Sequence, residues 1–235
     1  MTPHDPRRPH LRLEARLWRC GCVHVAGLDE VGRGAWAGPL VAAAVVLPAG
    51  RRNLRRLLRG VRDSKMMTPI GRDRWAEAIL AVAEAWAIGS AEAVEVDDLG
   101  PLGATRLAMQ RALEALSVHP DHLLIDYLRL PESPLPQTAM PHGDARMLSV
   151  AAASVVAKVW RDRVMIMYDE SFPGFGLARN KGYGTPEHRS ALDRLGPTPL
   201  HRISYTPVAQ ARARCAPPRL PLDSAQERQA QSVHP

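Results

Sequence analysis

Alternating apolar and polar positions predict a first strand that ends on two acids. Val23 and Val25 alternate with small or polar neighbours, as in a half-buried strand, and Asp29 and Glu30 follow before a glycine-rich turn. Because successive side chains of a strand point to opposite faces, only Asp29 of this pair shares the face of the two valines. Residues 39–47 are almost wholly apolar, which predicts a second strand buried on both sides or paired at the sheet centre.

Helical periodicities and short apolar runs alternate along the next part of the chain. Residues 87–91 and 122–126 are predicted strands, and three apolar stripes predict helices, an alternation typical of an α/β domain. The third helix, residues 148–168, begins with small residues and can therefore lie close to its neighbour. The stripes comprise Trp75, Ile79, Val82 and Trp86, then Leu102, Met109, Leu113 and Leu116, then Leu148, Ala152, Val155 and Val159.

Turn chemistry predicts the remaining local structure of the domain. Thr68 and Pro69 are typical of a cap and first turn that open a helix. Residues 129–141 are predicted to be a proline-rich loop, and residues 185–195 a short capped helix.

Changes of composition at both ends set the predicted domain boundaries. Residues 1–22 are expected to form a basic N-terminal extension, either loose or with a marginal helix at residues 11–18. The predicted domain spans residues 23–208. Residues 209–235 are rich in proline, alanine, arginine and glutamine and are expected to be a disordered tail.

The composition indicates a globular protein rather than a membrane or disulfide-rich one. With 235 residues, 46% of them apolar, the chain can bury the core of one α/β domain with a small appendage. No apolar run reaches transmembrane length and the first residues lack a signal peptide's apolar core, so we expect a cytoplasmic protein without membrane contact. The odd cysteine count and its spacing argue against a disulfide framework and a zinc site.

The formal net charge of +7 makes a polyanionic partner plausible without saying which one. Only three of the 31 basic residues are lysines, namely Lys65, Lys158 and Lys181. This pattern indicates that a compact charge on a flexible stem matters at these positions, although a biased codon usage would leave the same result.

Four acids stand at positions where a divalent cation could bind. The carboxylates of Asp29 and Glu30 would repel each other at a poorly solvated strand end, and a cation is the usual remedy. Asp126 closes a predicted strand, where ligands of open α/β sheets gather, and Asp144 directly precedes the long helix. Each acid has a plainer interpretation, as a helix cap or as a turn former.

Two glycine-rich segments carry candidate ligand contacts. Gly32, Arg33 and Gly34 form a bend whose backbone can approach a ligand closely, and it is not a Walker loop because no Gly-Lys-Ser or Gly-Lys-Thr follows. Tyr183 lies between two glycines beside Lys181, which suits stacking on a base or sugar. A tyrosine in a packed turn is the alternative.

Taken in order, the motifs closely resemble those of ribonuclease HII, the type 2 ribonuclease H. They are GLDEVGRGAWAGPLVAAAVVL at residues 27–47, DSK at 63–65, LLID at 123–126, HGDAR at 142–146, SVAAASVVAKVWRDR at 149–163 and NKGYGT at 180–185. Each motif is weak alone, but the ordered set is specific and the resemblance spans residues 23–208. It implies an RNase H-like α/β fold, with a mixed central β-sheet flanked by helices and a small helical C-terminal part.

The resemblance also implies an activity and the roles of the acids. The family cuts the RNA strand of RNA–DNA hybrids and cuts at single ribonucleotides embedded in duplex DNA, leaving a 3′ hydroxyl and a 5′ phosphate. Asp29, Glu30, Asp126 and Asp144 match its four acids, which would hold two Mg²⁺ or Mn²⁺ ions. One ion would activate a water and the other would stabilise the leaving 3′ oxygen. A monomer is expected.

By the same resemblance, other residues would contact the nucleic acid. Backbone groups of Gly32, Arg33 and Gly34 would contact the ribonucleotide, and Tyr183 would stack on the following deoxyribose and help to read the 2′-OH. Phosphates would be positioned by Lys65, Lys158, Arg161 and Lys181.

Several positions depart from the family pattern. Tyr127 and His142 stand where glycine and lysine are common, Met66 and Met67 replace a polar or basic residue and a leucine, and Gly100 stands where asparagine is frequent. Tyr127 is the most consequential, because a bulky side chain beside a metal ligand could narrow the site or shift its loop. We expect activity to survive this change, with metal preference as the property to test.

Two other functions are compatible with parts of the pattern. A general RNA–DNA hybrid nuclease of the type 3 kind shares the fold and the acids, but the Gly-Arg-Gly run and the lack of an obvious extra N-terminal domain disfavour it. A catalytically silent nucleic-acid-binding module would explain the charge and Tyr183, although all four acids are present.

Overall fold

A five-stranded mixed sheet forms the centre of the molecule. The computed structural model describes residues 8–215 of the chain. The sheet has the order β3-β2-β1-β4-β5, in which β2 runs antiparallel to β1 and β3, while β1, β4 and β5 run parallel. The strands are β1 (Val25–Val31), β2 (Leu40–Val46), β3 (Ala85–Ala91), β4 (His122–Asp126) and β5 (Gln137–Met140).

Helices cover both faces of this sheet. They are α1 (Arg12–Arg19), α2 (Leu54–Leu57), α3 (Pro69–Leu80), α4 (Ala93–Glu114), α5 (Leu148–Ser171), α6 (Leu177–Asn180), α7 (Pro186–Leu195) and α8 (Thr206–Cys215). The helices α3 and α5 pack on one face and α4 on the other, whereas α6, α7 and α8 form a small C-terminal cluster with the second half of α5. The predicted mixed sheet with flanking helices and a helical C-terminal part is confirmed.

Small residues allow α5 to lie very close to β1. Gly27 of β1 lies directly against α5, and a Cβ atom at this position would be 2.2 Å from the carbonyl carbon of Ser149. The first half of α5 buries a run of alanines and valines on this side of the sheet. The predicted close approach of the long helix is therefore confirmed, and it aligns α5 along the strand that carries the first two acids.

The N-terminal segment folds as a docked helix. In α1, the fully buried carboxylate of Glu14 accepts hydrogen bonds from the backbone N–H and the Oγ of Ser149, both at 2.9 Å. Ser149 belongs to the first turn of α5, and the residue that precedes this helix, Met147, makes no side-chain cap. Glu14 thus satisfies a helix end from outside the helix. Of the two structures expected for this segment, the helix is observed, and residues 1–7 lie outside the described residues.

Replacing Glu14 by alanine is expected to lower the free energy of unfolding by about 2 kcal/mol near pH 5, because buried donors of Ser149 lose their acceptor. Burial raises the pKa of Glu14 in the folded protein. Stability is therefore highest below the unfolded-state pKa and falls as pH rises through the raised folded value. Thermal unfolding from about pH 4 to about pH 8 checks this, and Glu14→Gln should flatten the dependence. An unchanged melting temperature in Glu14→Ala would contradict the docking role.

Two apolar stripes predicted from helical spacing are only partly correct. The helix α3 ends at Leu80, and Trp86 lies on β3 with 44% of its surface exposed, so Val82 and Trp86 do not extend the stripe. Leu102 is also exposed, because α4 is kinked at Gly100 and buries small residues such as Ala104 and Ala108 instead. Spacing alone does not show where a helix stops or bends.

Two segments predicted to lack regular structure are ordered. The proline-rich loop of residues 129–141 contains β5, a short edge strand whose Gln137 side chain bonds the backbone N–H and carbonyl of Leu130. The predicted tail begins inside α8, which buries Val208 and Ala211 against the C-terminal cluster. The helix α8 depends on partners distant in the chain, whereas β5 pairs with the nearby β4. Residues 216–235 of the predicted tail lie outside the described residues.

Other local predictions are confirmed. Thr68 caps α3 through a bond from the backbone N–H of Gly71 at 3.2 Å, and Thr185 caps α7 through a bond from that of His188 at 3.3 Å. The three cysteines, Cys20, Cys22 and Cys215, are free thiols. Among residues 8–215, no helix combines the length and the hydropathy that a membrane crossing requires.

Candidate active site

The parallel register of β1 and β4 brings the first acids together. Leu28 pairs with Ile125, so Asp29 and Asp126 follow side by side at the carboxyl ends of two neighbouring strands. Asp29 shares the face of Val25, as predicted, and α5 packs on this face, whereas Glu30 lies on the opposite face. Because both residues lie inside β1, neither of them caps a helix.

Asp126 holds the turn that carries the fourth acid. Its Oδ1 accepts a hydrogen bond from the backbone N–H of Gly143 at 2.7 Å. Asp144 follows in a buried 3₁₀ turn, Gly143–Ala145, and it does not cap α5, which begins after Met147. The structure therefore brings the four predicted acids to one end of the sheet. Asp126 is not only a local turn former, because its carboxylate also binds the backbone of the distant Gly143 turn.

Burial and mutual repulsion disfavour the charged forms of three of these acids. Burial, and then the charge of Glu30, raises the pKa of Asp29 well above its usual value. Burial and then Asp126 raise the pKa of Glu30, while burial and then Asp63 raise the pKa of Asp144. The group would be stabilised by a positive charge placed among its members.

Lys65 already supplies part of that positive charge. Partial burial acts to lower its pKa, but the charges of Asp63 and then Asp144 raise the Lys65 pKa overall. The side chain therefore faces the acids, and its predicted contact with a phosphate would be made at the edge of the acidic group. Asp63, which also acts on Asp144, was missed as a site residue although its DSK motif was noticed.

Two buried serines, Ser154 and Ser64, lie next to Asp29 on the α5 side of the sheet. The hydroxyl of Ser154 on α5 bonds the carboxyl group of Asp29, and Ser154 Oγ lies 3.0 Å from Ser64 Oγ. Both serines are buried. Sequence reasoning missed them, since small polar residues in a helix and a turn carry no chemical signal until the fold places them beside an acid.

The donor set suits a divalent cation. Carboxylate oxygens are the ligands that Mg²⁺ and Mn²⁺ prefer. The raised pKa values of Asp29, Glu30 and Asp144 indicate that their ionised forms lack a neutralising positive charge. In their present side-chain positions, no three His, Cys, Asp or Glu residues of the described ranges are placed to bind one ion. Binding would therefore require rotation of these carboxyl groups.

Arg202 holds the Gly-Arg-Gly turn from inside the protein. Its fully buried guanidinium donates from Nη1 to the carbonyl oxygens of Gly32 at 2.7 Å and Arg33 at 3.2 Å, and from Nη2 to that of Gly38 at 2.8 Å. Gly32 has φ 89°, a conformation that glycine adopts without strain. Sequence reasoning missed Arg202, which stands among many arginines with no distinguishing motif.

The structure corrects the prediction that Arg161 positions phosphates. Its side chain is fully buried, and its guanidinium donates to the carbonyl oxygens of Pro39 at 2.8 Å, Lys181 at 2.8 Å and Ala37 at 3.1 Å. Burial lowers the pKa of Arg161 to about 10, so it stays charged at neutral pH. The residue joins the chain after the Gly-Arg-Gly turn to the Tyr183 loop, and its burial keeps it from contact with a phosphate.

Three of the other predicted nucleic-acid contacts, Lys158, Lys181 and Tyr183, line one cleft of about 820 Å³. Lys158 lies 5.9 Å from the centre of the Tyr183 ring and pairs with Asp162 at 2.6 Å. Tyr183 is half-buried, so its ring is partly packed in the turn and partly open to the cleft. Sequence reasoning missed other basic residues of the cleft, which are Arg72, Arg163 and Arg179.

Tyr127 adopts a backbone conformation that favours glycine, and its side chain is exposed. Its φ is 64° and 65% of its surface is exposed, so the side chain does not fill the space among the buried acids. Tyr127→Gly is expected to raise the free energy of unfolding by about 1 kcal/mol, since the left-handed strain disappears. Urea denaturation measures this, and turnover in Mg²⁺ and Mn²⁺ should stay unchanged. A metal-dependent change of rate would show that the side chain does reach the site.

The sheet order, together with acids at the ends of adjacent parallel strands, defines an RNase H-like ribonuclease. The family model described as Ribonuclease HII matches residues 26–208. The chain belongs to the ribonuclease HII family. It is 54% identical over 199 residues to Ribonuclease HII of Thermus thermophilus, covering 85% of this chain and 94% of the relative. It is 52% identical over 206 residues to that of Synechococcus sp., covering 88% and 92%.

A solved structure supports the same fold. The crystal structure of the ribonuclease H2 from Pyrococcus horikoshii matches with a TM-score of 0.67 and 26% identity, over 81% of this chain and 98% of that chain. The RNase H-like fold and the family resemblance expected from the motifs are thus confirmed. The protein is a hydrolytic endoribonuclease that cleaves RNA in RNA–DNA hybrids and at ribonucleotides embedded in DNA.

Proposed function

We propose that Asp29, Glu30, Asp126 and Asp144 form the catalytic centre and bind two divalent cations, Mg²⁺ or Mn²⁺, for cleavage on the 5′ side of a ribonucleotide. The observation that supports this is the convergence of four buried or half-buried carboxyl groups at one end of the sheet. Three of them, those of Asp29, Glu30 and Asp144, have raised pKa values. Bound cations of this kind neutralise the carboxylates and polarise a phosphoryl oxygen.

The protein's own groups position the substrate around this centre. The backbone of Gly32, Arg33 and Gly34, fixed by Arg202, is proposed to contact the ribonucleotide. Tyr183 is proposed to stack on the following deoxyribose and to sense the 2′-OH, the group that distinguishes RNA from DNA. The positions of both segments, joined by Arg161, support this assignment.

Phosphate contacts are assigned to the cleft that adjoins the acids. Lys158 and Lys181 line it, and Arg72 connects it to the centre by donating to the carbonyl oxygen of Ser64 at 3.2 Å. Lys65 lies within reach of the charges of Asp144, Asp29 and Asp126 and is proposed to contact a phosphate beside them. Such contacts give affinity and register rather than selectivity for the ribonucleotide.

An end-labelled DNA duplex with a single ribonucleotide tests the proposal, with all-DNA and continuous RNA–DNA hybrid controls, in Mg²⁺, Mn²⁺ and EDTA. We expect metal-dependent cutting immediately 5′ of the ribonucleotide, with a 3′ hydroxyl and a 5′ phosphate. Cutting of the continuous hybrid alone would favour the specificity of the type 3 enzymes. Tight binding without cutting in either metal would favour the silent module.

A further inference from the structure

Two buried histidines connect the Tyr183 loop to the segment after α7. His188 and His201 are almost completely buried, and their Nε2 atoms lie 3.1 Å apart. At the outer ends of the pair, His188 Nδ1 lies 3.0 Å from the carbonyl oxygen of Tyr183, and His201 Nδ1 lies 3.0 Å from the backbone nitrogen and 2.9 Å from the hydroxyl oxygen of Thr198. The two rings thus form a continuous hydrogen-bonded relay between two loops.

One proton arrangement satisfies all four contacts of the relay when both rings are neutral, with the Thr198 hydroxyl donating to His201 Nδ1. The carbonyl oxygen of Tyr183 only accepts, so His188 Nδ1 carries a hydrogen and its Nε2 accepts. The N–H of Thr198 only donates, so His201 Nδ1 accepts and its Nε2 carries the hydrogen that His188 receives. An additional proton on either ring would leave two N–H donors facing each other with no acceptor between them.

The same region holds the Gly-Arg-Gly turn in place. His201 forms a β-bridge with Ala37, and the next residue, Arg202, binds the carbonyl groups of the turn. On the other side, the backbone N–H of Trp36 donates to the carbonyl oxygen of Gly182 at 2.8 Å. The histidine relay therefore completes a closed set of contacts between the turn and the Tyr183 loop.

We propose that His188 and His201 are positioning residues, which fix Tyr183 relative to the Gly-Arg-Gly turn through a neutral relay of defined tautomers. The inference rests on the proposed function, since it takes both segments as contacts of the ribonucleotide. Without the relay, the Tyr183 ring and the Gly-Arg-Gly turn would lose the fixed relative positions in which they bind the substrate. The effect should fall on substrate binding more than on the chemical step.

The surroundings of the relay predict how it responds to pH. The rings of Trp36 and Phe175 pack against it, and the guanidinium of Arg189 lies beyond, 5.0 Å from the centre of the Trp36 ring. Burial lowers the pKa of both histidines, that of His201 to about 4. The relay is therefore intact at neutral pH and is lost as pH falls towards that value.

Amide side chains can replace one ring nitrogen at a time. His188→Asn keeps a donor for the Tyr183 carbonyl and loses the bond to His201, whereas His188→Gln keeps a group near His201 and releases Tyr183. With the single-ribonucleotide duplex, each variant should raise KM about tenfold and change kcat less than about twofold. The acid-side rise of KM in the wild type should be missing from both variants, and the exposed His119→Gln should behave like the wild type.

Further measurements separate this inference from the proposed function. If Tyr183→Ala leaves KM unchanged, the assigned role of Tyr183 is wrong. If Tyr183→Ala raises KM while folded His188 variants keep the wild-type KM, the relay inference is overturned. Nitrogen-15 NMR of the imidazole rings should show one Nδ1–H and one Nε2–H tautomer at neutral pH. A protonated or reversed pair would overturn the inference even if the variants fail to fold.

Discussion

Asp29→Asn is expected to abolish cleavage while making the metal-free protein more stable. The cleavage rate should fall at least about 10³-fold, which corresponds to about 4 kcal/mol, because a proposed metal ligand and its charge are lost. In the absence of metal, burial and the charge of Glu30 raise the pKa of Asp29, so its ionised form is disfavoured in the fold. Removing this charge should raise the free energy of unfolding by about 1 kcal/mol.

Single-turnover cleavage and thermal unfolding, each with Mg²⁺ and with EDTA, measure the two effects separately. Mg²⁺ at about one hundred times its Kd should stabilise the wild type by about 2.7 kcal/mol, and the variant by much less. Asp98→Asn is a matched control, since Asp98 is an exposed acid on α4 outside the site. Full activity in Asp29→Asn, or equal stabilisation of both proteins by Mg²⁺, would remove Asp29 from the centre.

Arg202→Ala is expected to have the largest effect on stability, with a loss of about 3–5 kcal/mol in the free energy of unfolding. The substitution leaves the buried carbonyl groups of Gly32, Arg33 and Gly38 without their charged donor, and it opens a cavity. Arg202→Lys should recover only part of this loss, because an ammonium group lacks the planar fork that reaches all three oxygens.

Urea denaturation measures this loss, and cleavage assays at low temperature test the folded fraction. We expect the remaining folded protein to bind the single-ribonucleotide duplex more weakly, since the Gly-Arg-Gly turn is no longer fixed. Arg212→Ala is the control, because Arg212 is exposed on α8. If Arg202→Ala and Arg212→Ala unfold at the same urea concentration, the guanidinium does not hold the turn.

Much of the site could be predicted from sequence because its signals are local. The apolar second strand and the end of the HLLID run at Asp126 each depend on neighbouring residues, and both are confirmed. The predicted half-buried alternation before Asp29 is wrong, because Val23 is exposed outside β1 and the first five residues of β1 are all buried. The ordered motifs then identified the family, which the family model and relatives confirmed. Residue type and spacing therefore determined the main strands, the four candidate acids and the class of reaction.

The uses of the buried polar residues could not be predicted, because their partners are distant in the chain. Arg161 stands in a basic family motif and looked like a phosphate contact, but it is buried against three carbonyl groups. Arg202 and His201 drew no attention, yet they fix the turn and complete the relay with His188. Because arginines occur throughout this chain, the local sequence pattern does not distinguish a buried arginine from an exposed one.

The sequence by itself determined which residues could carry the chemistry, because strand periodicity and motif order are local properties. Only the tertiary structure decided how these residues are held. The parallel register of β1 and β4 sets Asp29 beside Asp126, and the absence of a side chain at Gly27 lets α5 approach and bring Ser154 to Asp29. Burial then decides which polar groups meet a substrate, since a buried donor must satisfy the protein's own acceptors first.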